Sequence, residues 1–376
     1  MKIVKLACRI IIGLTFMFSG IVKAIDPLGS AYKFHDYFHA FNLGFFDKLS
    51  LPLAILLCTV EFIAGFSVIT GIKQKTGTVL AFLLMLFFTP LTFILALTNP
   101  VSDCGCFGDA IKLTNWQTFG KNIILIIPAI ILFAERKKVK PFFRSGKELI
   151  MLFSAIIIFL VFSVSNLILL PAIDFLPYRE GVRIADQMVV PEGAASDVYA
   201  TTFIYEKEGT RKEFTLSNYP ANDSTWKFIE QKSVLVKKGY EPPVHDFRIS
   251  TLKGEDITEQ LISGQNYALL MITKKLGEAD KKHLTAGFEL GKSVLIRGID
   301  FYVVTASGSD ELNTYDNGLM FCSADETTLK TMIRANPGYI LISNGTIAGK
   351  WSWATVPDAD WFVKYQSGNN PGVMNK

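Results

Sequence analysis

Residues 77–109 read GTVLAFLLMLFFTPLTFILALTNPVSDCGCFGD, and this stretch decides the fold. Gly77 to Leu97 is an uncharged apolar run, long enough to cross a membrane as a helix. It delivers the chain to a compact polar loop, Ser102-Asp103-Cys104-Gly105-Cys106-Phe107-Gly108-Asp109, before a second apolar run starts at Trp116. Two of the five cysteines lie in that loop, one residue apart. Thiols so close in sequence can bind a soft metal together, pass a disulfide to a partner, or close a small ring on themselves. Gly105 and Gly108 allow the tight backbone that each of these needs.

Outward from this stretch, the composition is that of a membrane protein. Charged residues make up 19% of the 376, mean hydropathy is +0.32, and nearly all long apolar runs precede Asp174. The net charge of +4 comes from short basic patches flanking apolar runs. No broad basic face suited to nucleic acid is present. Five scattered cysteines are too few for a disulfide scaffold, so Cys104 and Cys106 read as chemistry or local closure.

Five spans are expected: Leu6 to Ile25, Leu51 to Thr70, Gly77 to Leu97, Trp116 to Phe133 and Leu149 to Ile173. Each has about 18 to 25 residues, enough for a helix across the hydrocarbon core. The first is expected to be a retained span and not a cleaved signal, because Lys23, Asp26 and Pro27 occupy the place of a small-residue cleavage site. Between the first two spans, Asp26 to Ser50 reads as an aromatic-rich interfacial loop carrying Tyr32, His35, Tyr37, Phe38 and His39. Basic residues at Lys2/Lys5/Arg9, at Lys73/Lys75 and from Arg136 to Lys147 alternate with unbiased loops. The positive-inside rule then places the N-terminus in the cytoplasm of a bacterial cell. The cysteine loop and everything after Asp174 fall outside the inner membrane, in an oxidising compartment.

After Asp174 the pattern changes. Val198 to Tyr205 and Arg211 to Leu216 form a hairpin about a turn at Glu206 to Thr210. Strands are expected at Tyr267 to Thr273 and Phe301 to Thr305, helices at Glu278 to Leu290 and Asp325 to Ala335. A hairpin of Gly338 to Ile342 and Thr346 to Trp353 about Asn344-Gly345 completes a small α/β layer.

The first 140 residues resemble the DoxX and MauE-like membrane family, the latter associated with methylamine utilisation. The matching features are Arg9 through Gly20 with its Phe16-Met17-Phe18-Ser19-Gly20 tail, Lys23-Ala24, Glu61 with Gly65, and Asp103-Cys104-Gly105-Cys106-Phe107-Gly108. They imply a four-helix membrane core, suspected of thiol or electron-transfer work. Residues Pro242 to Trp353 resemble a membrane-anchored, extracytoplasmic thioredoxin-like domain, through Val244 to Ile249 with Gly254 and Asp256, and through Asn336-Pro337 at the place of the fold's cis-proline. Where that pattern has Cys-x-x-Cys, this chain has Lys274-Lys275-Leu276-Gly277, so no disulfide exchange takes place there. The expected architecture is a helical membrane domain over 1–140, a fifth helix over 148–173, a connecting region over 174–241, a thioredoxin-like domain over 242–365 and a flexible tail over 366–376.

The candidate catalytic residues are Cys104, Cys106 and Glu61. Cys104 and Cys106 read as a redox pair, with structural closure or a zinc or copper site including His35, His39, Asp103 or Asp109 as the alternatives. Glu61 lies near mid-bilayer, as a proton carrier or a ligand for the head group of a membrane quinone, or as a protonated acid bonded to Thr92. Cys58, a turn away, is a relay or a small apolar residue. Arg9 is expected to snorkel to the cytoplasmic surface, His35 and His39 to pack at the interface, Cys8 and Cys322 to be buried thiols, and Trp351 and Trp353 to be core. No flavin, haem or nucleotide motif is present.

Three functions compete. In one, the dithiol exchanges electrons with an extracytoplasmic thiol protein or a membrane redox partner, with Glu61 handling the proton. In another, the bundle anchors a non-enzymatic docking or assembly module. Solute transport is the third, and five spans without a repeat speak against it.

Overall fold

In the lipid-soluble half of the chain a backbone can satisfy its polar groups only within itself, so each uncharged run winds into a helix. The computed structural model describes all residues except 1, 102, 138–146, 221–222, 238, 265–266, 316–317 and 369–376. Part of the Arg136 to Lys147 basic cluster and most of the expected tail lie outside the described residues. Among the described residues, five helices are long and apolar enough to cross a membrane, and they fall on the five expected spans. These are α1 (Lys2–Ile25), α3 (Ser50–Thr70), α4 (Gln74–Thr98), α5 (Asn115–Glu135) and α6 (Glu148–Ile168), with α2 (Pro27–Ala40) inserted after the first.

Two expectations are corrected here. The segment after Asp26 is a helix for fourteen residues and not a loop, followed by a 3-10 turn at Gly44–Leu49. Its start signal is local: Asp26 is the N-cap, accepting from the Gly29 amide at 2.8 Å, and Pro27 occupies the first helical position. The fifth span ends at Ile168, not Ile173. Pro171 disfavours helical backbone in the residue before it, and the Asn166 carboxamide accepts the Ala172 amide at 2.7 Å, turning the chain out.

Helices α1 and α3 approach most closely, across three glycines. A Cβ on Gly20 would lie 2.7 Å from the Cys58 carbonyl oxygen, and one on Gly65 would lie 2.6 Å from the Gly13 carbonyl oxygen. Small residues let two backbones touch where the lipid provides no hydrophobic drive for association. Arg9 completes this pair of helices. Its guanidinium does not snorkel to the surface; it is buried, donating to the carbonyls of Val68 (3.0 Å) and Ile69 (3.1 Å) at the C-terminal end of α3. A cation there satisfies orphan carbonyls and the helix dipole together.

The C-terminal part is a sheet-containing α/β domain. Its strands are β4 (Ser250–Thr251), β5 (Tyr267–Thr273), β6 (Asp300–Thr305), β7 (Met320–Ser323), β8 (Gly338–Ser343) and β9 (Thr346–Ser352), in the order β4-β7-β6-β5-β8-β9. Strand β5 is buried along most of its length, which is why it reads as an unbroken apolar run. It pairs in parallel with β6 and antiparallel with β8. Helix α8 (Lys281–Ile296) joins β5 to β6, and its buried face packs with that of α9 (Ala359–Gln366) in a core with Leu269, Phe301 and Tyr339. The turn at Asn344 (φ 50°) and Gly345 (φ 71°) joins β8 to β9, as the Asn-Gly pair requires. The Asn336–Pro337 bond preceding β8 is cis. Trp351 packs on Trp361 and Phe362, and Trp353 stacks on His283 at the core margin.

Bundle and α/β domain belong to one compact unit, Met1–Gly181 with Arg248–Lys376; residues Val182–Phe247 form another. The latter holds a short helix, α7 (Ile184–Met188), and a three-stranded antiparallel sheet. Strand β1 (Val198–Lys207) lies between β2 (Thr210–Thr215) and β3 (Lys227–Lys237). The hairpin expected here is present, with Glu208 and Gly209 at positive φ in its turn. The third strand was not legible, because Lys227–Lys237 is mostly polar and exposed.

Candidate functional site

The cysteine loop is held at its base before its tip is shaped. The Asn115 carboxamide donates to Asn99 Oδ1 and to the Val101 carbonyl, both at 2.8 Å, closing residues 99–115. Thr114 caps α5 in a reciprocal box with Gln117, an arrangement that stabilises a helix end by about 1 kcal/mol. Within the loop, Gly105 (φ 65°) and Gly108 (φ 53°) take left-handed backbone, and the Gly108 amide donates to the Gly105 carbonyl at 3.0 Å.

Helix α2 grips the loop from one side. Lys33 pairs with Asp103 at 2.8 Å, and the Tyr37 hydroxyl donates to the Cys104 carbonyl at 2.8 Å. This folding leaves the Cys104 and Cys106 sulfurs 3.0 Å apart as free thiols. The two are not equivalent. The hydrogen bond from Cys104, with the Lys121 and Lys23 ammonium groups, brings Cys106 down to about 6 against the opposing effect of burial. Cys104, as donor to that thiolate and itself buried, is pushed well up. Cys106 is therefore the readier of the two to ionise, and the thiolate is the form that attacks a disulfide or another electrophile.

Beneath the loop lies an ion pair inside the bundle. Lys23 Nζ is 2.8 Å from Glu61 Oε2 and 3.1 Å from Oε1, with both side chains nearly inaccessible. Lys23 also donates to the Cys106 carbonyl at 2.7 Å and to Ser19 Oγ at 2.7 Å. Ser19 Oγ in turn lies 2.9 Å from Glu61 Oε2 and 2.8 Å from the Cys106 carbonyl. Its one proton serves one of those acceptors at a time. Glu61 is thus brought under Cys106 and not against Thr92, which is taken by Asn122 at 3.1 Å. A charged carboxylate buried inside the bundle is expensive alone; a lysine at hydrogen-bond distance and a serine offset that expense.

A cavity of about 560 Å³ opens from this site into the bundle. Tyr37, Glu61, Cys104, Cys106 and Lys121 stand at its polar end, and leucines and phenylalanines of α3 and α4 line the rest. Lys121 lies 4.3 Å above the Phe107 ring, and Phe107 meets Phe18 edge-on at 5.4 Å.

The α/β domain closes over the same end of the bundle. Arg334, buried, pairs with Asp26 at 2.7 Å and with Asp109 of the cysteine loop at 2.8 Å. Lys274, Lys330 and Arg334 all stand over the Tyr32 ring, 5.0 to 5.6 Å from its centre. Burial, with Arg334 beside it, brings Lys274 down to about 7. Nearby, Lys350 pairs with Asp174 at 2.5 Å.

Other candidates fall elsewhere. Cys58 donates to the Ile55 carbonyl and packs with Ala24 and Phe159, so it is a small buried residue and not part of the loop. His35 and His39 gather with Asp47, His39 Nε2 lying 2.8 Å from its carboxylate, while Asp103 and Asp109 are each held by a cation. Cys8 and Cys322 are buried, and burial raises Cys322 to about 11. Ser19, Lys23, Lys121 and Arg334 were not singled out from the sequence as site residues. Only the four-residue spacing of Ser19 and Lys23, one helical turn on the same face, hinted at a polar patch inside the first span.

The fold and site define a class: a multi-pass membrane bundle with a dithiol loop over a buried ion pair, joined to an α/β domain. Residues 1–135 match the family described as methylamine utilisation protein MauE, and residues 199–238 match a domain of unknown function, DUF8463. Protein TlpB of Flavobacterium psychrophilum is 27% identical over 128 residues, covering 33% of this chain and 35% of that protein. The chain therefore spans about a third of the length of the curated relative it matches. No solved structure matches the chain.

Proposed function

We propose that this is a thiol-disulfide electron-transfer component of a bacterial inner membrane, working through Cys104 and Cys106 on the extracytoplasmic side. The observation that carries the reading is the pair itself: two free thiols of one loop with their sulfurs 3.0 Å apart. With an extracytoplasmic protein disulfide, the Cys106 thiolate attacks one sulfur and expels the other as thiolate. Cys104 then attacks Cys106, its proton passing to the departing sulfur, so one disulfide is made for one broken. Lys23 and Ser19 hold the Cys106 carbonyl, and Glu61, bonded to both, offers a place for a proton near it.

We read the α/β domain as thioredoxin-like. In support, β5 lies between a parallel and an antiparallel neighbour, and the β8–β9 hairpin completes that edge. Strand β7, added beyond β6, is a departure. Lys274 follows β5 where that fold carries its first cysteine, so the domain acts by position and not by exchange.

The test is the in-cell redox state of Cys104 and Cys106, by acid-quenched alkylation and mass analysis, with and without a membrane reductant pathway. A mixed population that shifts with the pathway supports the reading. A pair fixed in one state in every condition overturns it. One observation favours a second reading, a docking or assembly factor: the segment that directly follows β5, Lys274 to Asp280, has no cysteine. Full complementation by the Cys104→Ser/Cys106→Ser variant would decide for that reading.

A further inference from the structure

The dithiol stands at the mouth of a cavity that its exchange with a water-soluble protein does not use. The cavity volume, about 560 Å³, lies within the range of roughly 300–1,000 Å³ typical of small-ligand sites. Its walls divide sharply by chemistry. Leu53, Leu57, Leu84 and Leu91 make an aliphatic body, and the ionisable groups gather at the loop end. Its side is open to the lipid phase, because Leu56 on α3 and Leu83 and Phe87 on α4 both line it and are exposed on the bundle surface.

A molecule suited to this space enters sideways from the bilayer, has a long apolar body, and carries a small polar end that meets a thiolate and an ammonium. A dithiol that closes to a disulfide also releases two electrons. We propose that the cavity binds a prenylated quinone, its ring at Cys106 and Lys121 and its isoprenoid chain between α3 and α4. The proposal rests on the reading of Cys104 and Cys106 as a redox couple and names its membrane oxidant; the loop disulfide so made is returned to the dithiol by an extracytoplasmic protein dithiol, the exchange written above run in reverse.

The chemistry closes. The Cys106 thiolate adds to a ring carbon, forming a C–S bond, and Lys121 protonates the oxygen that gains charge. Cys104 sulfur then attacks Cys106 sulfur, the S–S bond forms, and the C–S bond breaks with its electron pair left on the ring. The Cys104 proton goes to the second ring oxygen. One quinone has become one quinol and one dithiol one disulfide; water restores the Lys121 proton. Lys121, rather than Glu61, faces the ring in this arrangement, since Glu61 is held by Lys23 and Ser19.

The experiment uses the full chain in nanodiscs with decylubiquinone as the probe. Binding is measured first on Cys104→Ser/Cys106→Ser, which cannot transfer electrons. Saturable binding that Leu57→Trp or Leu91→Trp, by filling the cavity, weakens about tenfold or more is the expected result. Reduction is then followed in the reduced wild-type protein by the loss of quinone absorbance. One quinol per pair is expected, slowed about tenfold or more by Lys121→Gln with affinity little changed. Binding no tighter than that of the saturated alcohol carrying the same tail, or unmoved by both tryptophans, overturns the site, whatever the redox state of the cysteines in cells. Binding without thiol-dependent reduction overturns the transfer step. If the cysteines prove redox-inert in cells while the serine variant binds quinone, the failure lies in the couple and not in the cavity.

Discussion

Arg334 and Asp109, 225 residues apart in sequence, form an ion pair at 2.8 Å, and the same guanidinium holds Asp26. The cysteine loop is therefore fastened from above by the α/β domain, as it is from the side by α2. Removing one partner of a buried pair strands the others, at a cost of about 3–5 kcal/mol. Arg334→Gln is expected to destabilise the α/β domain against the bundle by about that much and to loosen residues 103–112. Hydrogen exchange of those amides in detergent is the measurement, and unchanged protection would disprove the clamp. Arg334→Lys is expected to recover little, since a single ammonium replaces the planar fork that reaches two carboxylates.

The Lys23–Glu61 pair makes a different prediction, because single and double changes part company. Lys23→Met or Glu61→Met alone leaves an uncompensated charge inside the bundle and should lower stability by about 3–5 kcal/mol. Lys23→Met/Glu61→Met together should restore much of it, as apolar replacement of a whole buried pair is often neutral. Thermal unfolding of the three variants reads this directly. A double variant as unstable as the worse single one would mean that the pair is not the relevant interaction.

Reactivity of the loop should depend on pH in a stated direction. With Cys106 brought down to about 6 by its hydrogen bond from Cys104, alkylation of Cys106 should rise with a midpoint near 6 and be nearly flat above neutrality. Cys104→Ala removes the donor and should move the midpoint toward the ordinary thiol value of 9.0. The lowered Cys106 contributes stability that is present above pH 9 and lost as pH falls toward 6, whereas the raised Cys104 contributes stability that is present below pH 9 and lost as pH rises beyond it. Melting of the reduced protein across that window, compared with Cys104→Ala, checks the sign.

Gly20 gives a steric test. A Cβ there meets the Cys58 carbonyl oxygen and the Phe62 amide nitrogen at 2.7 Å, both backbone atoms with little room to yield. Gly20→Ala should cost about 1–3 kcal/mol by overpacking. It should also draw α1 away from α3, lengthening the reach from Lys23 to Glu61. Gly120→Ala, with open space around it, is the matched control and should be silent to within the roughly 1 kcal/mol helix propensity gain of alanine over glycine.

The spans were legible because a bilayer demands one long apolar run per helix, and the runs ending at Thr70 and Leu97 are bounded by lysines or by Asn99-Pro100. Strand β5 and the Asn344-Gly345 turn were legible for equally local reasons. Helix α2 was signalled by Asp26-Pro27 but masked by aromatics that suit an interface equally well. The Cys104–Cys106 pair announces itself by its spacing. What surrounds it does not, since Lys23 reads alone as the flank of a span, and Arg334 as an ordinary charge after a short helix. Their roles come from contacts 38 and 308 residues away along the chain, which only the crossing of α1 on α3 and the seating of the α/β domain create.

Arg334 also bears on how such a chain changes over time. Asp26 begins a helix of the membrane half, Asp109 belongs to the loop, and the residue that neutralises both is encoded more than two hundred codons later. A recombination that exchanged the α/β half for one lacking this arginine would leave two carboxylates facing each other at the junction. The membrane half and the C-terminal half of this protein are therefore expected to work only as a matched set, a change at any one of these three positions calling for a compensating change at the others.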